Sequence, residues 1–167
     1  LYTGNGTDDT DISHSLSAVP HVMIMKKRST TGNWEVYHHR NTSAPETDYL
    51  NLDLDGATGD SAGYWSDEAP TSSVFTLGNG ATNTNAVTYV SYLFSEKQGY
   101  SKFGSYDGNA SADGTFVYLG FKPGFLMIKK TNGSEEWYVW DTKREGFNGR
   151  NDRMQASAEV AEYAEDN

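Results

Sequence analysis

The pattern Gly59-Asp60-Ser61-Ala62-Gly63 is the first candidate for catalytic chemistry. It fits the G-x-S-x-G nucleophile elbow, in which a strained turn between a strand and a helix exposes a serine to a histidine base. No helix pattern follows the serine, because the short stretch Tyr64-Trp-Ser-Asp-Glu-Ala runs directly into Pro70. We therefore predict a glycine-rich surface turn at this position.

The histidines also argue against catalysis. The elbow fold requires a histidine after the serine, but all four precede it: His14, His21, His38 and His39. Other serine hydrolases use a reversed order, in which His38 or His39 would be the base, yet nothing in the sequence places an oxyanion hole. We expect no catalytic residue and therefore no enzyme.

Two patterns resemble metal sites. Residues 51–56, Asn-Leu-Asp-Leu-Asp-Gly, imitate the start of a calcium loop, but position twelve would be Ala62 where a bidentate Glu is needed. The interleaved leucines instead favour the buried face of a strand. His38 and His39 are neighbours, and neighbours on a strand point to opposite faces. We therefore predict no metal site and no cofactor.

Exposed aromatic rings offer a binding chemistry, because Tyr and Trp rings can stack against the apolar faces of sugars. Tyr64 and Trp65 lie in a turn-rich stretch, and Trp140 has no tryptophan counterpart in the other half of the chain. These three residues are the candidate glycan contacts. The alternative for Trp65 is a lid over a core that is short of aliphatic residues, and the sequence favours that alternative.

An internal repeat positions these residues. Tyr2, Gly4 and Asn5 recur as Tyr106, Gly108 and Asn109, and the following motifs recur in the same order. These are Pro20 and Pro123, the runs 21–27 and 124–130 that each end in Lys-Lys, and the strands that begin at Trp34 and Trp137. Residues 48–51 and 152–155 are a weaker echo. We predict about one and a half units, with residues 1–104 as the first and residues 105–167 as an incomplete second unit.

The elements of each unit are predicted to be strands. Residues 22–27 form an apolar run that is typical of a strand buried on both faces, and a polar turn joins it to the alternating strand 34–37 as a hairpin. Residues 49–54, 73–77 and 86–94 are further strands, and only 155–164 could be helical. The predicted fold is an all-β antiparallel β-sandwich of jelly-roll or lectin-like type, repeated in tandem.

Charge and composition exclude several classes of function. The net charge is −10, so phosphate backbones and anionic lipid surfaces are poor partners, and we expect neither nucleic-acid binding nor membrane insertion. Cysteine is absent, which excludes disulfides and thiolate metal sites. The chain opens at Leu1 without a methionine and stops at Asn167 without an evident ending. We therefore expect a piece of a longer protein.

The motifs from residue 89 onwards carry a resemblance to a known type of protein. They are the run 89–94, the glycine-rich stretch 99–109, residues 120–123, Met127-Ile-Lys-Lys130, residues 136–142 and residues 149–152. In this order they resemble a repeat of virion and tail-fibre-type proteins of bacteriophages. The match covers nearly the whole chain, although Lys143-Arg144-Glu145 stands where an Arg-Gly pair is commoner.

The resemblance implies a structural protein of a phage tail or fibre, located in the virion, that presents or forms a host-surface attachment module. Its expected partners are other copies of itself, for example in a trimer. Other virion proteins and host surface polysaccharide are further expected partners. A bacterial cell-surface adhesin or extracellular filament subunit is the alternative, and a surface-glycan esterase or depolymerase is the third hypothesis. The resemblance brings no catalytic residues.

Overall fold

The computed structural model describes residues 1–143 and 152–162. Within these residues the secondary structure is almost entirely β, with one 3₁₀ turn and one α-helical turn. The strands are β1 (Tyr2–Thr3), β2 (Thr10–Ser13), β3 (Val22–Lys27), β4 (Trp34–His38), β5 (Asp48–Asn51), β6 (Gly59–Asp60), β7 (Val74–Leu77), β8 (Thr88–Phe94), β9 (Phe125–Ile128), β10 (Tyr138–Asp141) and β11 (Met154–Gln155). The 3₁₀ turn is Pro45–Thr47, and the helix α1 is Ala62–Trp65.

The strands form antiparallel sheets. A six-stranded sheet has the order β1-β8-β3-β4-β5-β6, and a two-stranded sheet pairs β2 with β7. A three-stranded sheet, in the order β11-β10-β9, belongs to the second half of the chain. The predicted all-β antiparallel sandwich is confirmed.

The main core lies between the six-stranded sheet and the two-stranded sheet. Side chains of alternate residues on β3 and β4 point to this inner face, as the period of a strand requires. Met23, Met25 and Tyr37 pack there against Trp65, Phe75 and Leu77, and all six side chains are buried. Aromatic rings therefore supply much of the core volume, as the shortage of aliphatic residues predicted.

Two local predictions need correction. A helical turn does follow Ser61, because the Ser61 hydroxyl accepts a hydrogen bond from Gly63 N and caps α1. Gly78 allows the end of β7 to approach this turn, since a Cβ there would lie 2.3 Å from Ala62 O. The alternating strand predicted over residues 49–54 ends at Asn51, and the chain turns at residues 52–54.

The outer face of the six-stranded sheet is also apolar. Val22, Ile24 and Val36 point to this face together with Leu50, and Trp137 and Met127 of the second half pack on them. The Trp137 indole nitrogen donates a hydrogen bond to Asn51 O at 2.8 Å, so the ring is fixed as well as buried. The second half thus covers part of the face that the first sandwich leaves open, while Tyr92 and Phe94 on the same face stay 47% and 42% exposed.

Strand pairing in the second half has the same register as in the first half. Ile24 pairs with Val36 and Met127 with Val139, and Val36 pairs with Leu50 as Val139 does with Met154. Trp34 O accepts a hydrogen bond from Leu52 N, and Trp137 O accepts one from Ala156 N, both at 2.9 Å. Each residue of the first half and its counterpart in the second half are 103 or 104 positions apart in the sequence. The repeated sequence motifs therefore occupy matching positions in the two sheets, and matching faces lie against each other.

Glu35 is a buried acid in the main core. Its side chain is only 5% exposed and accepts a hydrogen bond from the Asn51 amide nitrogen. Burial raises the pKa of this carboxyl from 4.5 to about 7, against the lowering effect of the Asn51 hydrogen bond. The folded protein therefore holds a proton that the unfolded chain releases between these pH values, and stability falls as the pH rises through this window.

We predict that Glu35→Gln removes this pH dependence. Gln keeps an oxygen that can accept from Asn51 and carries no charge at any pH. The variant should match the parent protein near pH 4 and exceed it above pH 8 by on the order of 2 kcal/mol, measured by urea unfolding at both pH values. Glu159→Gln, a change at an exposed acid, is the control and should leave the pH dependence intact. An equal pH dependence in the Glu35 variant and its parent would contradict the raised pKa.

We predict that Trp137→Ala releases the second half from the outer face. Replacing a buried Trp by Ala lowers the free energy of unfolding by about 3 to 5 kcal/mol. Here the lost contacts are those between the second half and the outer face of the six-stranded sheet. Limited proteolysis should cut residues 105–143 much faster, while the first sandwich stays folded. Trp34→Ala is the matched control, because Trp34 occupies the repeat-matched position but is only half-buried. If both variants were cut alike, Trp137 would not be the anchor.

Candidate functional site

Trp65 lies inside the molecule. Its exposed fraction is 0%, and its indole nitrogen donates a hydrogen bond to Asp48 O at 2.7 Å. The ring meets Tyr37 edge to face at 5.9 Å. A ring with no accessible face cannot stack on a sugar. Trp65 is therefore a core residue and not a glycan contact. The helical turn α1 places its ring in the core.

Tyr64, the other predicted contact on α1, is half-buried. Its ring stacks on Tyr49 with centroids 3.8 Å apart and planes 7° apart, so one face of the ring is already occupied. Burial, with the nearby Glu35 carboxyl and Tyr49, raises the pKa of the Tyr64 hydroxyl. The hydroxyl therefore stays protonated, and Tyr64 offers at most a ring edge and a neutral hydroxyl.

Trp140 is far from α1 in the chain and lies on β10 of the other sheet. It is half-buried, and its ring is tilted against Tyr138 at 5.9 Å. The residue at the matching position of the first unit is Tyr37, whose ring is 3% exposed in the main core. This correspondence favours a packing role for Trp140.

Ser61 caps a helix. Its backbone is extended, with φ of −172°, which any residue adopts, whereas the nucleophile elbow depends on a strained turn. The hydroxyl oxygen accepts a hydrogen bond from Gly63 N at 3.3 Å. The G-x-S-x-G pattern is thus explained by the short strand β6, the cap and α1.

Three histidines form a cluster that the sequence did not predict. The His39 ring lies 4.3 Å from the His21 ring and 5.6 Å from the His38 ring. The expectation that His38 and His39 point apart is wrong, because β4 ends at His38 and His39 already belongs to a turn. Within residues 1–143 and 152–162, however, no group of three or more His, Asp or Glu side chains is arranged to hold a metal ion.

The histidine cluster instead holds the segment that leads to the second unit. A ring nitrogen of His39 lies 3.0 Å from Phe103 O, His21 Nδ1 accepts a hydrogen bond from Glu96 N, and the Glu96 carboxylate accepts one from Phe103 N. Burial and the neighbouring His39 lower the pKa of His38 to about 4. His38 is therefore neutral at pH 7, and the cluster acts as a packing element.

An aromatic platform on the outer face is the best-formed surface for a ligand. We use this name for Trp34 and Tyr92, whose rings lie on either side of β3, 6.4 Å apart and within 22° of parallel. Tyr92 is 47% exposed, and the Lys26 ammonium lies 5.5 Å from the centre of the Trp34 ring. Two near-parallel rings, with a cation over one of them, provide aromatic surface and a hydrogen-bond donor for a ligand.

Sequence reasoning missed this platform because it identified Trp34 only as the start of a repeated strand. Trp34 and Tyr92 are 58 positions apart in the sequence and meet only through the pairing of β4 and β8 with β3. The sequence did contain one clue to the platform. Side chains alternate between the two faces of a strand, so Tyr92 on β8 points to the face opposite to that of the buried Tyr89. This alternation could have identified Tyr92 as exposed, but it could not have identified Trp34 as its neighbour.

Comparisons with known proteins give one match. The chain matches a family described as "Domain of unknown function (DUF7483)" over residues 1–167. No curated protein and no solved structure matches significantly. In the described part of the chain no helix is long and apolar enough to cross a membrane. Since the match covers the whole sequence, this chain belongs to the DUF7483 family of domains.

Proposed function

We propose that this domain is a structural module of a bacteriophage tail or tail fibre, in which repeated units stack and present a surface to the host. The observation that carries the proposal is the contact between matching faces of the two units, centred on Trp137. A repeat unit that buries its outer face against its neighbour extends an array without a separate linker domain. The order of motifs that resembles phage tail-fibre repeats supports the same function.

Other properties of the chain agree with a place in a large extracellular assembly. The net charge of −10 keeps neighbouring surfaces apart except where apolar faces meet, which favours solubility in an abundant particle protein. We propose other copies of this chain, in a closed symmetric oligomer such as a trimer, and further virion proteins as its partners. The virion is the proposed location.

Host attachment is proposed to use the aromatic platform. Trp34 and Tyr92 offer a stacking surface for sugar rings, and Lys26 is suited to a hydroxyl or carboxylate of a bacterial surface polysaccharide. Trp65 has no part in this site because it is buried. The platform thus replaces the Tyr64 and Trp65 pair as the proposed glycan contact.

The virion assignment predicts where the protein is found. Mass spectrometry of purified particles of the encoding phage should detect peptides from this domain in amounts comparable to other tail proteins. Wall and membrane fractions of uninfected bacteria are the control and should lack them. Detection in those fractions and absence from particles would overturn the virion proposal and favour a cellular adhesin.

The attachment proposal predicts binding to bacterial surface polysaccharides that depends on the platform. The double variant Trp34→Ala, Tyr92→Ala should lose about tenfold or more in affinity on a polysaccharide panel, because two stacked rings contribute at least about 1.4 kcal/mol together. Tyr100→Ala, which changes an 81% exposed ring elsewhere, is the control and should bind as the parent does. Equal binding by the double variant would remove the platform from the proposal, and absence of binding by the folded parent would leave an assembly role alone.

A further inference from the structure

Residues 95–103 form a strap that leads from β8 towards the second half of the chain, and three histidine rings lie against it. The three rings are those of His21, which precedes β3, His38, which ends β4, and His39 in the turn that follows. At the end of the strap, the Phe103 ring packs against the apolar cluster that contains Trp137. The strap therefore connects the histidines to the contact between the two units.

Two of the rings accept a hydrogen bond on the nitrogen that a second proton would occupy. His21 Nδ1 accepts from Glu96 N of the strap at 3.2 Å, and His38 Nδ1 accepts from Arg40 N at 3.1 Å. A protonated imidazole is a donor at both of its nitrogens and accepts at neither. Protonation of His21 therefore breaks its bond to the strap, and protonation of His38 breaks a bond that shapes the turn after β4.

The rings are also close enough to repel each other when they carry charge. The His39 ring lies 4.3 Å from the His21 ring and 5.6 Å from the His38 ring. Within the described residues, the other titratable groups that face the rings are Arg40 from the turn after β4, and Glu96 and Lys102 from the strap. The Glu96 carboxylate is already paired with the Lys102 ammonium at 3.3 Å. Positive charge on the histidines is therefore offset only in part.

The sign of the pH dependence follows from the burial of the rings under the strap. Burial lowers the pKa of His38 to about 4, and it lowers the pKa of His39 as well. A ring that is released to water titrates near its usual pKa of about 6.5. The closed strap thus binds fewer protons than the open strap. The closed form keeps its full stability above about pH 6.5 and loses it as the pH falls towards 4.

We propose that the three histidines form an acid-sensitive switch, which holds the strap closed at neutral pH and releases it when the rings are protonated. Release takes the Phe103 ring away from the cluster that contains Trp137, so acid loosens the contact between the two units. The proposal does not depend on the phage assignment.

The test follows amide hydrogen exchange of the whole 167-residue chain by mass spectrometry near pH 7 and near pH 5, with rates corrected for the intrinsic effect of pH. Protection of residues 95–103 should fall by about tenfold or more at the lower pH, because the closed and open forms differ in proton binding. Protection of Val74–Leu77 in the first sandwich should stay high.

The two acids with shifted pKa values do not produce this result. Although burial opposes it, the hydrogen bond from Phe103 N lowers the pKa of Glu96, so this carboxylate stays charged near pH 5. Burial raises the pKa of Glu35 to about 7, so its protonation adds stability as the pH falls. A loss of protection between these pH values therefore reports the histidines.

Substitutions that keep the hydrogen bonds but cannot be protonated should keep the strap closed. Asn Oδ1 replaces an accepting Nδ1, and Gln Nε2 replaces the donating Nε2 of His39. His21→Asn should reduce the loss of protection, and the triple variant His21→Asn, His38→Asn, His39→Gln should abolish it. His14→Asn is the matched control, because His14 Nδ1 accepts from Leu16 N outside the cluster. This control should show the full loss.

Equal protection of residues 95–103 at both pH values in the parent chain would overturn the proposal. A full loss of protection in His21→Asn would also overturn it, because another group would then be the trigger. The same holds for a loss that Val74–Leu77 shares equally, since it would mean that the first sandwich unfolds. If the triple variant does not fold, the comparison of His21→Asn with His14→Asn decides.

Discussion

The β3–β4 hairpin carries apolar side chains on both of its faces, and this constraint governs the rest of the structure. A strand with Met23 and Met25 on one face and Val22 and Ile24 on the other cannot lie at a solvent boundary. Burying each large apolar side chain contributes about 1.5 to 3 kcal/mol, so both faces have to be covered. The β2–β7 pair and α1 cover the inner face, and the second half of the chain covers the part of the outer face around Val36 and Leu50.

The same constraint separates what the sequence could predict from what it could not. The continuous apolar run of β3 and its polar turn predicted a doubly buried hairpin, because periodicity reports burial directly. The motifs repeated at offsets of 103 and 104 have the same strand registers in both halves. Short features were missed, because the four residues of α1 depend on the Ser61 cap and on a place for the Trp65 ring. A single turn of helix has no periodicity to detect.

The candidate site was harder to predict than the fold, because it depends on contacts between distant strands. Tyr64 and Trp65 were chosen from their local turn-rich context, yet the core required Trp65. Trp34 and Tyr92 form a platform only because β3 lies between their strands. The histidine cluster likewise needs the turn after β4, and residues 95–103 close over it. Whether an aromatic ring is buried depends on how distant strands pair in the sheet, and the residues around the ring in the sequence do not show this.

Contact between the two units through Trp137 is the central claim, and nuclear Overhauser effects from its indole ring test it most directly. The chain has only four tryptophans, so the indole resonances can be assigned by substitution. The structure predicts strong effects between the Trp137 ring and the methyl groups of Val36 and Leu50, with slow exchange of the indole proton that is bonded to Asn51 O. A Trp137 indole proton that exchanges freely with water and shows no effect to either residue would contradict the packing of matching faces.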